Sequence, residues 1–450
     1  MKSLYIDNYR GFSDSIISLS DVNFCVGENS TGKTSILSAI NLLASGRFWF
    51  EQNFEGPEVP FKHFEDFVSA ASDDKRSFYL GVVDSEAKTY REEGRDGAKV
   101  FGRAYLFKYS DHDGVPRLES FTSNFKNQSL TVYFSENATR YRVCKIKERD
   151  ISSKASQLKL FRNWVQIQGD RRLLGTKVLK DEVSIKRGYM PLIYSFVWAA
   201  RNEFFVIGKD GRKNSAAIPF PSPLFGGDGA AWIAPIRTKP RRTYDEPKLE
   251  FSPEGTHVPY LLKKILSGGK DSDKFVTFLR KFGKESGLFK EIKVHKFGKS
   301  ATSPFEIEII LDSNPLNINN VGYGVAQGLP IIVEAFTREP GSFFVIQQPE
   351  VHLHPRAQAS IGEMIFNLAL KDGKKFVVET HSDFTIDRFR IALRASAKHD
   401  VSSQVLFFER SGGFNKVTAI PIGRDGELDP NQPSAYRDFF FKEEIKVIGF

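Results

Sequence analysis

The sequence predicts an α/β fold: a mixed sheet flanked by helices, interrupted by a β-rich and helical insertion. Three observations predict it. The octapeptide GENSTGKT at 27–34 sits between an apolar run at 23–26 and a helix-like run at 35–43. In the last third of the chain, buried-type strand runs alternate with helical runs, the pattern of a parallel sheet. Between 73 and 147, short β-like runs separated by polar and Gly-rich breaks read as a meander. The predicted division is 1–72 and 305–450 for the two parts of the head, with 73–304 inserted.

The elements follow in order. Leu4 and Ile6, then Ile16, Ile17 and Leu19, suggest a small antiparallel edge leading into the strand at 23–26. Residues 47–69 read as a loop with a short helix at 62–68. Strand runs are expected at 77–83, 100–108, 130–134 and 141–146. Helices are expected at 157–167 and 183–198, the second weakened by Pro191, and a loop at 208–227. Helical periodicity returns over 256–282, broken at Ser267-Gly268-Gly269. A strand is expected at 306–311, a helix at 329–336, strands at 343–346 and 376–378, and strands near 404–408 and 416–421.

The bulk numbers set limits. At 450 residues the chain can bury a large core, and 40% hydrophobic with 26% charged residues is ordinary for a soluble globular protein. The net charge of +9 permits nucleic acid as a partner without demanding it. Two cysteines, Cys25 and Cys144, give neither a disulfide framework nor a metal pattern. Asp7 and Arg10 interrupt any signal-like apolar region, and no run reaches the length of a membrane span, so a cytoplasmic location and no membrane partner are expected. The 41 phenylalanines read as core filling.

The octapeptide matches the phosphate-binding loop G-x-x-x-x-G-K-[ST]. A glycine-rich turn between strand and helix aims backbone N–H groups and the helix dipole at an anion. Gly27 and Gly32 allow the tight path. Lys33 is expected to reach the β- and γ-phosphates, and the Thr34 hydroxyl to hold Mg²⁺. The candidate nucleotide contacts are Gly27, Glu28, Asn29, Ser30, Thr31, Gly32, Lys33, Thr34 and Ser35, with ATP and Mg²⁺ as the ligands. Two further segments, FFVIQQPEVHLHP at 343–355 and FVVETHS at 376–382, end apolar strands in polar residues. Strand ends of that kind face the ligand in α/β sheets, which makes Gln347, Gln348, Glu350 and His381 the candidate catalytic residues. Gln347 falls where an acid normally holds the metal, so Thr34 and Gln347 are the candidate metal contacts. Gly322 and Gly324 approach a second helix N-terminus, another place for phosphate contact. His352 and His354 are read as structural rather than as zinc ligands.

These residues together resemble one family. The opening IDNYRGFSDSIISL…NFCVGENSTGKTSIL resembles ABC-type ATPases related to chromosome-maintenance (SMC) and RecF-like proteins. QPEVHLHPRAQ and VVETHSD resemble the Walker B and His-switch segments of the branch that includes the overcoming-lysogenization-defect (OLD) nucleases. That branch also supplies ATPase subunits of anti-phage systems of the PARIS or Septu type. IAPIRTKPRRTY at 233–244 and the ending DGELDPNQPSAYRDFF are similar to it as well. The resemblance implies a P-loop ABC-type ATPase head that dimerises, each nucleotide held between one subunit's phosphate loop and the other's glycine signature. By that likeness Gly322, Gly324 and Gln327 face the partner's γ-phosphate. Gln347 then matches the metal-organising acid, Gln348 the water-polarising position and His381 the switch histidine.

Two departures stand out. The branch carries a carboxylate where Gln347 stands, unless Glu350 or a water substitutes. An uncharged Gln347 is expected to preserve ATP binding and slow turnover, by the roughly 10²–10⁴-fold attributed to one acid/base group. It fits either a nucleotide-trapping Glu-to-Gln change or a naturally slow switch ATPase. Ala326 stands where relatives carry a serine. No Toprim-type acidic cluster or His-Asn-His pattern is visible, so a nuclease or toxin effector is expected to be a separate chain, with a phage product as trigger. Two other readings stay open: a DNA-repair ATPase that clamps DNA, and a non-hydrolysing nucleotide-gated scaffold. Against the former, no long heptad pattern is present and Lys239-Pro240-Arg241-Arg242 is the only basic run that stands out.

Overall fold

The computed structural model describes residues 2–52, 54, 63–85, 102–125, 128–134, 139–145, 153–169, 177–179, 206–207, 213–214, 229–245, 248–268, 272–300, 302–396 and 400–440. The chain begins with β1 (Lys2–Asp7), β2 (Ser15–Leu19), β3 (Val22–Gly27), α1 (Lys33–Ala44) and the short α2 (Gly46–Glu51). There follow β4 (Ser77–Asp84), β5 (Arg103–His112), β6 (Val115–Phe125), β7 (Gln128–Phe134), β8 (Thr139–Lys145), α3 (Lys154–Gly169), β9 (Lys177–Leu179), β10 (Val206–Ile207) and β11 (Lys213–Asn214). Next come β12 (Ala230–Ile233), α4 (Val258–Leu266), α5 (Ser272–Ser286), β13 (Glu291–Lys296), β14 (Phe305–Ile310), β15 (Pro315–Asn317) and α6 (Tyr323–Thr337). The last elements are β16 (Phe343–Gln347), α7 (Pro355–Asp372), β17 (Lys375–Glu379), α8 (Asp383–Ala395), β18 (Ser403–Ser411) and β19 (Phe414–Ile422). The helix expected at 183–198 and most of the loop expected at 208–227 lie outside the described residues.

The chain forms two compact units, residues 1–19, 29–229 and 409–417 in the first, and 20–28, 230–408 and 418–450 in the second. The first unit is built on an eight-stranded sheet in the order β2-β1-β4-β5-β6-β7-β8-β9. Every pair in it is antiparallel. This corrects one expectation. The strands at 2–19 do not border β3; β1 pairs with β4, Lys2 opposite Asp84, and so joins the meander. Residues 82 positions apart make that pairing, which no local pattern reveals. On one face α3 lays Phe161 flat on Tyr5, ring centroids 4.5 Å apart. Gly81 makes room, since a Cβ there would stand 2.8 Å from the Phe161 ring. The phenylalanines do fill core: Phe48, Phe54, Phe67, Phe78 and Phe107 meet Trp49 and Tyr109 in edge-on, tilted and stacked pairs.

The second unit holds a six-stranded sheet, β12-β16-β17-β3-β18-β19, with a three-stranded antiparallel sheet β13-β14-β15 beside it in the same unit. From β12 to β18 the pairs are parallel. Strands VNFCVG and FFVIQ are buried at every position, which is why they read as unbroken apolar runs. One buried polar residue fixes the register. Asn23 Nδ2 donates to the carbonyls of Ser20 and Phe376, while its Oδ1 accepts from Ser20 N–H and Gln404 Nε2, linking β17, β3 and β18. Phe389 of α8 packs edge-on against Phe24 of β3 and Phe366 of α7.

Candidate nucleotide site

The phosphate loop has the local geometry its sequence predicts. β3 ends at Gly27 and α1 begins at Lys33, with Gly32 as its N-cap at φ 92°. Gly32 has no room for a side chain, since a Cβ would stand 2.6 Å from the Phe12 ring and from Asn415 Nδ2. Gly27 is equally constrained, because a Cβ would meet the Phe408 carbonyl at 2.2 Å. Ser30 takes the left-handed conformation at φ 62°. Glu28, Asn29 and Ser30 are exposed, Thr34 is half-buried, and Thr31, Lys33 and Ser35 are buried. The first turn of α1 carries no acidic residue, so nothing there opposes an anion at its N-terminus.

Within the second unit, the parallel sheet sends the ends of β16, β17 and β3 to one edge. Gln347 pairs with Glu379, and Glu379 with Cys25, two residues before Gly27. This carboxyl edge is where α/β sheets bind ligands. Gln347 Nε2 donates to Glu379 Oε2 at 3.1 Å, and Gln348 N–H donates to the Glu379 carbonyl at 2.8 Å. Gln348 itself is held at φ 40°, a left-handed conformation unusual for a residue with a side chain. Gln347 is 3% exposed and its Oε1 has no hydrogen-bond partner.

Both oxygens of the Glu350 carboxylate are hydrogen-bonded. Oε2 accepts from Thr380 Oγ1 at 2.8 Å and Oε1 from His381 N–H at 2.6 Å. It holds the turn that carries His381. The His381 ring is half-buried, 6.4 Å from the Phe439 ring. Ser382 caps α8 by accepting from Thr385 N–H, so His381 is fixed between a strand end and a helix start. His354 Nδ1 accepts from Arg356 N–H and caps α7, the structural role read from sequence.

The glycine-rich segment at 320–330 begins α6 at Tyr323, earlier than the helix expected from 329, and Pro330 lies inside it. Gly322 is exposed with nothing within 4 Å of a Cβ position, while Gly324 lies against the His352 carbonyl. Gln327 is 2% exposed, and its Nε2 donates to the Arg237 carbonyl.

Sequence reasoning assigned no role to Arg237, which joins these segments. Its guanidinium donates to the carbonyls of Gln327, Gln347 and Gln348 at 3.1–3.2 Å. Burial pushes it down to about 10, and the nearby Glu350 charge opposes that fall. Its signal in the sequence is the arginine two residues beyond Ala234-Pro235. Glu379 was likewise unassigned, although a carboxylate ending the buried run FVVE is the kind of residue that marks a site.

A P-loop between a parallel strand and a helix, with polar strand ends gathered on the same sheet edge, defines an α/β P-loop nucleoside triphosphatase. The chain belongs to the AAA ATPase domain family, which matches residues 1–161 and 261–386. It is 32% identical over 111 residues to the DNA replication and repair protein RecF of Haemophilus ducreyi, a match covering 24% of this chain and 30% of that protein. The chain thus spans under a third of the length of the curated relative it matches. Among solved structures it is similar to an SMC head bound to the C-terminal winged-helix domain of ScpA, at 12% identity, 93% and 98% coverage and a TM-score of 0.45. It is also similar to the SMC head domain of Thermotoga maritima, at 10% identity, 93% and 97% coverage and a TM-score of 0.36. Both scores are low, and the fold class rests on the sheet topology and the family match. Among the described residues no helix is long and apolar enough to cross a membrane.

Proposed function

We propose that this chain is a cytoplasmic Mg-ATP hydrolase head that closes on a second copy of itself when nucleotide binds. In this reading it is the sensing or scaffold subunit of a prokaryotic anti-phage complex and gates a separate effector, a nuclease or a toxin, in answer to a phage product. The phosphate loop, with Gly27 and Gly32 sterically confined to glycine, carries the ATPase part of the reading. The defence role rests on the likeness of QPEVHLHPRAQ and VVETHSD to that branch.

The residues divide the work. Loop N–H groups and Lys33 bind and neutralise the triphosphate. Each unit offers oxygen donors of the kind Mg²⁺ takes: the Thr34 hydroxyl in the first, and in the second the strand-end pair of Gln347, whose buried amide oxygen has no partner, and the Glu379 carboxylate. Bound Mg²⁺ supplies charge neutralisation at the transferring phosphoryl group. Gln348 and His381 orient water near that group. Glu350 and Arg237 hold them in place. With an amide at 347 turnover is slow unless another carboxylate serves the metal.

Phosphate release from Mg-ATP, with bound nucleotide quantified, tests the reading. Lys33→Ala should abolish ATP binding, because it removes the cation that neutralises the phosphates. Undiminished affinity in that variant would refute the site. The RecF match favours one other reading, an ATPase that clamps DNA. Duplex binding that strengthens with ATP and falls steeply with salt would select it over the first.

A further inference from the structure

We propose that Glu379 is the metal-organising carboxylate of this head, taking over on β17 the charge that Gln347 lacks on β16. The inference rests on the ATPase reading above and adds a residue to it. Gln347 and Glu379 are cross-strand partners at the last position of two parallel strands. Their side chains meet at 3.1 Å, and both are almost wholly buried, at 3% and 5% exposure. The sheet order sets the place of Glu379. β17 lies between β16 and β3, so Glu379 stands one strand nearer to Gly27 than Gln347 does. The Glu379 backbone is pinned on both sides: its carbonyl accepts from Gln348 N–H, and the next residue's N–H donates to the Cys25 carbonyl at 3.2 Å.

The pair also explains the amide at 347. Nε2 is the only end of that side chain that can face a carboxylate, which leaves Oε1 as the buried oxygen without a partner. A glutamate at 347 would set two carboxylates about 3 Å apart, and one of them would then have to take up a proton. Gln347 is thus the neutral partner of a relocated acid rather than a disabled acid. It contributes a neutral oxygen, and Glu379 contributes the charge.

The experiment measures affinity for ATP in EDTA and in Mg²⁺, together with phosphate release, on the full chain. The variants are Glu379→Gln, Gln347→Glu and the exchange Gln347→Glu/Glu379→Gln. Glu379→Gln should keep the EDTA affinity and lose about 10–100-fold of the gain that Mg²⁺ brings. The exchange variant should recover most of that gain by returning one carboxylate to the pair. Gln347→Glu alone should fail to speed phosphate release. A Glu379→Gln variant with its Mg²⁺ gain intact would overturn the inference. So would faster turnover in Gln347→Glu, and that arm stands even if Glu379→Gln does not fold. Absence of ATP binding by the parent chain in EDTA and in Mg²⁺ would instead overturn the ATPase reading itself.

Discussion

One buried ionic cluster in the second unit gives it a pH-dependent contribution to stability. Glu334 of α6 bonds His257 Nε2 through Oε1 and Arg338 Nε through Oε2, each at 2.6 Å. His257 Nδ1 accepts from Ser252 N–H, which leaves Nε2 as the protonated nitrogen facing Glu334. Burial alone would raise the Glu334 carboxyl, but its bonds to His257 and Arg338 outweigh burial and hold it below its ordinary 4.5. A depressed carboxyl contributes stability that is present above the unfolded value and lost as pH falls through the folded value. The melting temperature of Glu334→Gln should therefore lie below the parent's at neutral pH. The gap should shrink once pH drops below about 4.3. A gap that stays constant well below that range would show that the carboxylate charge adds nothing. Arg237 illustrates the complementary case, a buried cation whose two terminal nitrogens bond three backbone carbonyls while its Nε has no partner. Nothing in the run IAPIRT announces those partners, because they lie about 90 to 110 residues further along the chain.

Among the helices, α7 and α8 approach so closely that backbone meets backbone. A Cβ at Gly362 would stand 2.0 Å from the Thr385 carbonyl and 3.1 Å from Phe389 N. Thr385 also bonds the α7 backbone, donating from Oγ1 to the Gln358 carbonyl. The start of α8, two residues after His381, is thereby fixed by α7. Gly362→Ala should cost about 1–3 kcal/mol of stability as an overpacked contact that rigid backbone cannot relieve. Chemical denaturation measures it, and an unchanged midpoint would mean that the helices can separate freely. Strands with apolar runs were legible, with bounds within a few residues: β3, β4, β14, β16, β17 and β18. β6, β13 and β15 were not. In EIKVHK only Ile292 is buried, so no alternation marks it, and β13 exists through its pairing with β14. The late start expected for α6 has a similar cause. Gly322, Gly324 and Gly328 with Pro330 read as turn residues, whereas packing, with Gly255 against Pro330, keeps the helix continuous.

For the whole molecule, the proposed closure on a second copy predicts a variant that separates binding from assembly. Gly322 is exposed and a side chain there meets nothing within 4 Å. Gly322→Arg should leave ATP affinity unchanged and abolish ATP-dependent self-association, read by light scattering with and without nucleotide. Association that persists would remove the signature segment from the interface. The sequence by itself determined the phosphate loop, the parallel-sheet character of the last third and the core role of the phenylalanines. Each depends on neighbours within a turn or a strand, where spacing and composition carry the physics. Tertiary structure alone decided that β1 joins the meander, that Gln327 faces Arg237, and that Glu350 is occupied by the turn at 380–381. It also decided that Glu379 stands beside Gln347. Those outcomes depend on strand order and register, which unite residues tens to hundreds of positions apart, and no local pattern of side chains encodes that distance.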